Sequence, residues 1–595
     1  MTHLVPEADL AARAEFEGQH DGTVRSEIER FRTHINEYLA GSVTDDQFRA
    51  VRLRFGCYGQ RQPGVQMIRT KIPGGKLTAD QLDVLADVSE EYAAGKGHFT
   101  TRQNLQYHFV PLARVPDLMH KLADAGLTTR EACFNTVRNV TASPYAGLAR
   151  DEVFDVIPYV QKVAYTFLRK KLTDAMPRKF KIAFDGGGER DRALCGIHDL
   201  GIRAVMRDGK RGFHIAIGGG LGALPTEAQV LDEFVPEERL VNRIEAVLRV
   251  FNQYGNRQNR NKARLKFVLR ERGIAWLKEA VDKEYADILA NGGIEPAAFV
   301  PEGFGGFESH PQPLGNGSLL PVVNKSSSGN ADYDRWLASN VEEQRQPGYA
   351  IVTALLEQGN LTADQMRGLA QIARTAGDGT LRVTINQNVL IPFVQLANLP
   401  RVYAALEELE LAGSGAHEIS DVTSCPGAYS CNLALTKSMN LGAALAETVR
   451  QYDDPELRKL SIKISGCPNS CGQHWLADLG FYGNARKIGG HEVPFYQMLL
   501  GGGVDEEGAT RFGLAILSIP AKLAPVAVQR VLQHYLEARQ EGETFRHYVL
   551  RHKVEFFRHK IADLVKAPEL TPEMYQDWGD QEAFSLKLGR GECAA

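Results

Sequence analysis

Leu77-Thr-Ala-Asp-Gln81 returns unchanged as Leu361-Thr-Ala-Asp-Gln365, about 284 positions further along. In each copy the Thr and the Gln stand three apart ahead of an apolar-periodic run, the pattern of a capping box that opens a helix. Working outward, the same spacing links Gln103-Asn104 to Gln387-Asn388, each within a strand-like stretch, Phe99 to Val110 and Leu381 to Val394. Val140-Thr141 and Pro144 answer Val422-Thr423 and Pro426, Lys181-Ile182 answers Lys463-Ile464, and Gly218-Gly-Gly220 answers Gly501-Gly-Gly503. One such match is chance; a series in constant order and at nearly constant offset is a duplication. The chain therefore reads as α+β, with two related halves about a pseudo-twofold axis and mixed, largely antiparallel sheets covered by helices. A site between such halves collects groups from both.

Each half divides again. Helix-and-strand units at 64–130 and 346–415 precede larger α+β units at 131–300 and 416–565. Residues 1–63 supply a loose arm, to about residue 22, and a helix. Ser26-Glu27-Ile28-Glu29 reads as the capping box of that helix, Ile28, Phe31, Ile35 and Leu39 follow at helical spacing, and Gly41 is placed to end it. Residues 301–345, rich in Gly, Pro, Ser and Asn, read as a linker with little regular structure, and 566–595 as an irregular tail.

With 595 residues and a formal net charge of -4, the chain has ample material for several domains and lacks the basic surface that bulk nucleic-acid binding needs. The first thirty residues contain no apolar h-region, and no run of about eighteen apolar residues occurs, so the expectation is a cytoplasmic protein without a membrane span.

Four of the eight cysteines fall in one region, as Cys425-Pro-Gly-Ala-Tyr-Ser-Cys431 and Cys467-Pro-Asn-Ser-Cys471. Thiolates in close pairs provide for a soft metal centre. Structural zinc sites mostly use pairs two to four residues apart, whereas the first pair here encloses five residues; a cubane cluster accepts a wider bracket. The prolines after Cys425 and Cys467 fix φ, so each sulfur leaves from a stiff, non-helical turn. Spacing alone leaves an iron–sulfur cluster, zinc and inert thiols all open. The other four cysteines, Cys57, Cys133, Cys195 and Cys593, are scattered and read as plain thiols.

The first half lacks the quartet but carries cations. Arg69 and Lys71, two apart on a strand, are expected on one face, as are Lys179 and Lys181, with Arg178 and Phe180 opposite. Arg102 and Arg138 add two more. Lysines along a strand are commonly a solvated edge that discourages aggregation; the competing reading is a pocket for an oxyanion or polyanion. The glycine triplets add a weaker anion-nest signal. Neither copy completes a dinucleotide-binding pattern, so reducing power is expected from a separate protein or subunit.

Over roughly residues 50 to 560 the chain resembles the sulfite and nitrite reductases that couple sirohaem to a [4Fe–4S] cluster. The resemblance rests on Cys-x5-Cys followed by Gly466-Cys-Pro-Asn-Ser-Cys-Gly472, on Pro177-Arg-Lys-Phe-Lys181, on Arg102-Gln103 and on the duplication. It implies paired ferredoxin-like half-domains and two sirohaem- and cluster-binding domains. It implies that Cys425, Cys431, Cys467 and Cys471 hold the cluster and that Cys471 also reaches the sirohaem iron. By the same resemblance Arg69, Arg138, Lys179 and Lys181 line the substrate face, while Arg102 and Gln106 contact sirohaem. The Gly218, Gly219 and Gly220 turn is assigned to the cofactor as well. The implied reaction is the six-electron reduction of sulfite to sulfide, with ferredoxin or a flavoprotein as donor; nitrite reduction to ammonia is the alternative, since nitrite reductases of plant type tend to carry Asn where Lys181 stands. Some members link Tyr to Cys beside the sirohaem, and Tyr58 and Cys133 occupy matching places. A non-enzymatic rival is an iron–sulfur electron carrier or redox sensor.

Overall fold

The computed structural model describes residues 24–296, 329–505, 507–565, 571–587, 589 and 592. The arm, most of the linker and Cys593 lie outside these residues.

The repeated pentapeptide does two jobs. Both capping boxes form: Thr78 and Gln81 open the helix Ala79–Tyr92, and Thr362 and Gln365 open Ala363–Ala376. The residues just before each helix are strands, and each strand joins the other copy's sheet. Lys76–Thr78 pairs antiparallel with Thr380–Val383, and Asn360–Thr362 with Lys96–Phe99. Two five-stranded antiparallel sheets result, each completed at one edge by its counterpart. The exchange needs a tight approach. Gly75 (φ +68°) and Gly359 (φ +79°) enter the exchanged strands in the left-handed region, and a Cβ on Gly75 would lie 2.6 Å from the Val383 carbonyl oxygen. The two capped helices then pack into one core shared by both half-domains, with Leu82 and Leu85 from one and Met366 and Leu369 from the other.

Each larger unit is a five-stranded mixed sheet with its own core. In the first, Thr141–Ala142, Ile182–Asp185 and Leu200–Arg207 run parallel, and Lys210–Ile217 and Gln229–Pro236 return antiparallel. The second repeats this with Thr423–Ser424, Ile462–Ser465, Leu479–Ile488, His491–Leu500 and Leu514–Pro520; the ladders set Ile182 against Ile462, so Lys181 answers Ser461 and not Lys463, whose place in the first half is taken by Ala183.

Several expectations need correction. The helix Val24–Leu39 is already formed at Val24, so Ser26 lies inside it rather than capping it; Gly41 (φ +78°) does end it. The region read as linker contains the helix Ala331–Asn340, capped by Asn330, and the strand Val341–Glu343. Gln103 (φ +54°) and Gln387 (φ +72°) sit in turns between strands, not within them. These turns carry the clamp between halves. Gln103 Nε2 donates to the Val383 carbonyl at 2.9 Å and its Oε1 accepts from Ala142 N at 2.9 Å. Gln387 mirrors it, donating to Phe99 O at 3.0 Å and accepting from Ser424 N at 2.9 Å.

The duplication also exposes a point of strain. The helices Leu265–Ala290 and Phe545–Lys560 kink at corresponding places, at Gly273 (φ +80°, ψ +163°) and at Lys553 (φ +63°, ψ +162°). That region is essentially restricted to glycine and holds other residues at about 1–3 kcal/mol. Lys553 is exposed. Lys553→Gly is therefore expected to stabilise the protein by about 1 kcal/mol, after the entropic penalty of glycine is subtracted. Thermal melting checks this: a Tm at or below that of the parent would show that the kink is not strained.

Candidate active site between the two halves

The first half brings three loops to the interface, at 100–106, 132–139 and 179–181, and the second brings Gln387, Ser424, Cys425, Pro426 and Cys471. Together they line a cleft of about 720 Å³, counted out to its open mouth. A larger groove of about 1970 Å³ by the same measure lies between the half-domains and the helix Ser438–Val449, but it carries neither the clustered cations nor a cysteine.

Two turns present the cysteines. The Cys425 turn is fixed by Cys425 N donating to Ile464 O at 3.3 Å, and the Cys425 sulfur accepts from Gly466 N at 3.3 Å and lies 3.4 Å from Ser438 Oγ. The second turn closes through Ser470 (φ +58°) and Gly472, where a Cβ would collide with the Ile464 carbonyl. Burial and the neighbouring cysteine charges push the Cys467 thiol up, and burial and Cys471 do the same to Cys425. Thiols held together against that electrostatic opposition form a donor set for positive metal. Cys431 and Cys471 are exposed, and Cys471 reaches the cleft. Its carbonyl accepts from Thr101 Oγ1 at 2.8 Å, which ties the turn to the first half. Contacts not foreseen from sequence support the Cys431 side: Arg61 N donates to Ser430 O at 3.1 Å and its guanidinium to Ala434 O at 2.6 Å.

The cations divide according to how far they are committed. Arg138 donates to Phe134 O at 2.9 Å, to Ala132 O at 3.2 Å and to Tyr58 OH at 3.2 Å. Arg69 donates to Gln106 Oε1 at 2.7 and 3.0 Å once that amide is oriented to accept, and its guanidinium lies over the Tyr58 ring. Arg102 donates to Asn139 O at 2.6 Å and Thr141 Oγ1 at 3.2 Å, while its buried Nε has no partner. Burial, then Arg138, pulls the Arg102 pKa down to about 9. Lys179 and Lys181 both reach the cleft, and Phe180 between them is buried in the core, as the alternation required. Burial, with Arg102 and Lys179 nearby, holds the Lys181 ammonium well below the usual lysine range.

Two assignments move. Lys71 does not share the cleft with Arg69: the strand Val65–Arg69 ends before it, and its buried Nζ donates to Val137 O at 3.1 Å. Gly218, Gly219 and Gly220 do not line the cleft. Gly218 N donates to Asp199 O at 3.0 Å, extending the ladder in which Leu200 pairs with Ile217, and a Cβ on Gly219 would meet the backbone of Gly196 and His198, so the triplet closes the end of a strand pair. Tyr58 and Cys133 are brought together, in a small buried cluster with Leu53 and Met67. Gln387, a cleft residue missed from sequence, was marked there as the repeat partner of Gln103.

Two family profiles match this chain. One, described as a nitrite and sulphite reductase 4Fe-4S domain, covers residues 133–289 and 415–568; the other, a nitrite/sulfite reductase ferredoxin-like half domain, covers 58–125 and 342–409. The chain belongs to the nitrite and sulfite reductase family. Relatives carry both substrate names. A ferredoxin–nitrite reductase of Leptolyngbya laminosa is 30% identical, with 90% of this chain and 99% of that protein covered. A ferredoxin-dependent sulfite reductase of Mycobacterium tuberculosis is 28% identical, covering 82% of each. The solved structure of the Mycobacterium tuberculosis NirA protein superposes with a TM-score of 0.74 at 25% identity, covering 92% of this chain and 97% of that one. As an oxidoreductase of this family the protein uses sirohaem and a [4Fe–4S] cluster, which replaces the reading of a simple electron carrier. The donor set fits both groups: four thiols in two stiff turns for the cluster, and a cationic wall with an unpartnered Arg102 Nε for an acidic macrocycle. Among the described residues no helix is long and apolar enough to cross a membrane.

Proposed function

We propose that this protein reduces sulfite to sulfide, taking six electrons from a separate donor protein and releasing three waters. The observation that carries the reading is the pair Lys179 and Lys181 beside Arg69 and Arg138 on one wall of a cleft that also holds Cys471. Four cations suit a dianion with three oxygens better than the smaller nitrite monoanion. Sirohaem and its cluster supply a metal site for the central atom and a route for single electrons. The chain's own groups do the rest. Cys425, Cys431, Cys467 and Cys471 would hold the cluster, and Cys471, which also lines the cleft, would serve the sirohaem iron. Arg69 and Arg138, fixed by Gln106 and Tyr58, stabilise charge on the substrate oxygens. Lys181, whose ammonium is held well below the usual lysine range by burial and Arg102, and Lys179 deliver protons to the leaving oxygens. Arg102 and Gln106 face the acidic side chains of the macrocycle. A ferredoxin is the donor favoured by the names of the relatives; a flavoprotein subunit is the other.

Nitrite reduction is the second reading, favoured by relatives at 30–31% identity that are named nitrite reductases. Turnover of the holoenzyme with reduced ferredoxin on each substrate separates the two. A higher kcat/KM for sulfite is expected, and a clear preference for nitrite overturns the assignment.

The reading extends to a thioether between Cys133 Sγ and the Tyr58 ring, which lie in one buried cluster beside Arg69 and Arg138; the S–H and one ring C–H bond are broken, and the two electrons and two protons pass to a two-electron oxidant such as dioxygen. Peptide mapping of active enzyme should give one cross-linked species lighter by two hydrogens than the separate peptides. Recovery of both peptides unlinked would dispose of it.

A further inference from the structure

The two halves share a turn but differ at one position in it. In the first half the 3-10 turn Cys195–Ile197 leads through His198 to Asp199; in the second His474–Leu476 leads through Ala477 to Asp478. The turns correspond in detail. Asp199 Oδ2 accepts from Lys181 N at 2.9 Å, and Asp478 Oδ2 from Ser461 N at 2.9 Å. The Asp199 carbonyl accepts from Gly218 N at 3.0 Å, and that of Asp478 from Gly501 N at 2.9 Å. Since the turn forms equally well with alanine, folding of the turn does not explain the histidine.

Its contacts do. His198 Nδ1 lies 2.8 Å from the Leu194 carbonyl oxygen, which can only accept. Nδ1 therefore carries the proton, Nε2 presents a lone pair, and that lone pair faces Arg102 NH1. In the second half the residue before Gln387, in the place of Arg102, is Asn386. So the histidine is present in the half that has the arginine and absent from the half that lacks it. Burial, together with the charges of Arg102 and Lys181, keeps the imidazole neutral.

We propose that His198 is a positioning residue for Arg102: its bare Nε2 accepts from NH1 and, with Asn139 and Thr141, holds the guanidinium flat against the cleft wall. Nε, the one nitrogen left without a partner, then serves as the donor offered to an acidic side chain of sirohaem. This rests on the placement of Arg102 at the cofactor, and the experiment keeps the two ideas apart.

Sirohaem per chain and its rate of loss on dialysis, read from the absorption spectrum of purified holoprotein, are compared for the parent and for Arg102→Met, His198→Ala, His198→Gln and His198→Asn. A glutamine amide reaches the place of Nε2 and restores an acceptor for Arg102. An asparagine amide reaches only the place of Nδ1, keeping the Leu194 contact without serving Arg102. Arg102→Met, His198→Ala and His198→Asn should each lose sirohaem on the order of 10-fold faster, the scale of an outer-sphere partner. His198→Gln should stay near the parent. Combining Arg102→Met with His198→Ala should add nothing, because the two act as one unit. If Arg102→Met loses the cofactor while His198→Ala and His198→Asn keep it, the positioning role fails and the cofactor role of Arg102 stands. If Arg102→Met keeps it, the cofactor role fails and the inference with it. Equal behaviour of the Gln and Asn variants, or failure of all three His198 variants to fold, also overturns the role.

Discussion

A Cys471→Ser chain should fold, yet lose turnover by about 100-fold or more. Partners that merely orient a metal ligand are worth about 10–100-fold in affinity or activity, so a residue proposed as a ligand itself should reach at least the top of that range. The side chain is small and exposed, and the turn that presents it is held by backbone groups: Cys471 O accepts from Thr101 at 2.8 Å, and Gly472 N donates to Ser465 Oγ at 3.0 Å. Serine satisfies that backbone as well as cysteine does. What it changes is the donor atom, from a soft sulfur to a hard oxygen, at one of the two quartet positions that line the cleft, the other being Cys425. Iron and acid-labile sulfide per chain, the sirohaem absorption bands and turnover measured on one preparation decide it. A variant with a complete cluster and undiminished turnover would remove Cys471 from the centre of the reaction.

Lys181→Asn carries the second large effect. Removing one preorganised donor from a charged transition state costs about 10²–10³-fold in rate, and the loss should fall harder on sulfite, which carries the greater charge. The preference between sulfite and nitrite in kcat/KM should therefore move toward nitrite. An unchanged preference would take away the basis for reading sulfite from this wall. The pH dependence offers a further check. The Lys181 ammonium is held below the ordinary lysine range, first by burial and then by Arg102 and Lys179. It therefore loses its proton at lower pH than an exposed lysine, and turnover that needs that proton falls as pH rises through the lowered value. In Lys181→Asn that alkaline limb should be missing.

The architecture was legible in sequence wherever a local rule repeated. The capping boxes appeared twice with the same letters, and Lys179-Phe180-Lys181 alternated as an extended segment must. The failures have physical causes. Gln103 and Gln387 fall between stretches of strand-like composition, and nothing local announces that both adopt positive φ to clamp the opposite half. Lys71 continues the alternation of Arg69 on paper, but the strand ends at Arg69 and the side chain turns inward to the Val137 carbonyl. His198 belongs to no motif; its signal emerges only when each half is used as the control for the other.

The borrowed edge strands bear on how such a molecule began. A lone first half would leave Lys96–Phe99 as an open sheet edge, without Asn360–Thr362 to cover it, and Lys76–Thr78 without a sheet to join. A single-copy protein of this plan would therefore be complete only as a symmetric dimer, each copy lending its strand to the other. Fusion into one chain made the copies permanent neighbours and freed them to specialise, so that thiols accumulated on one side of the seam and cations on the other.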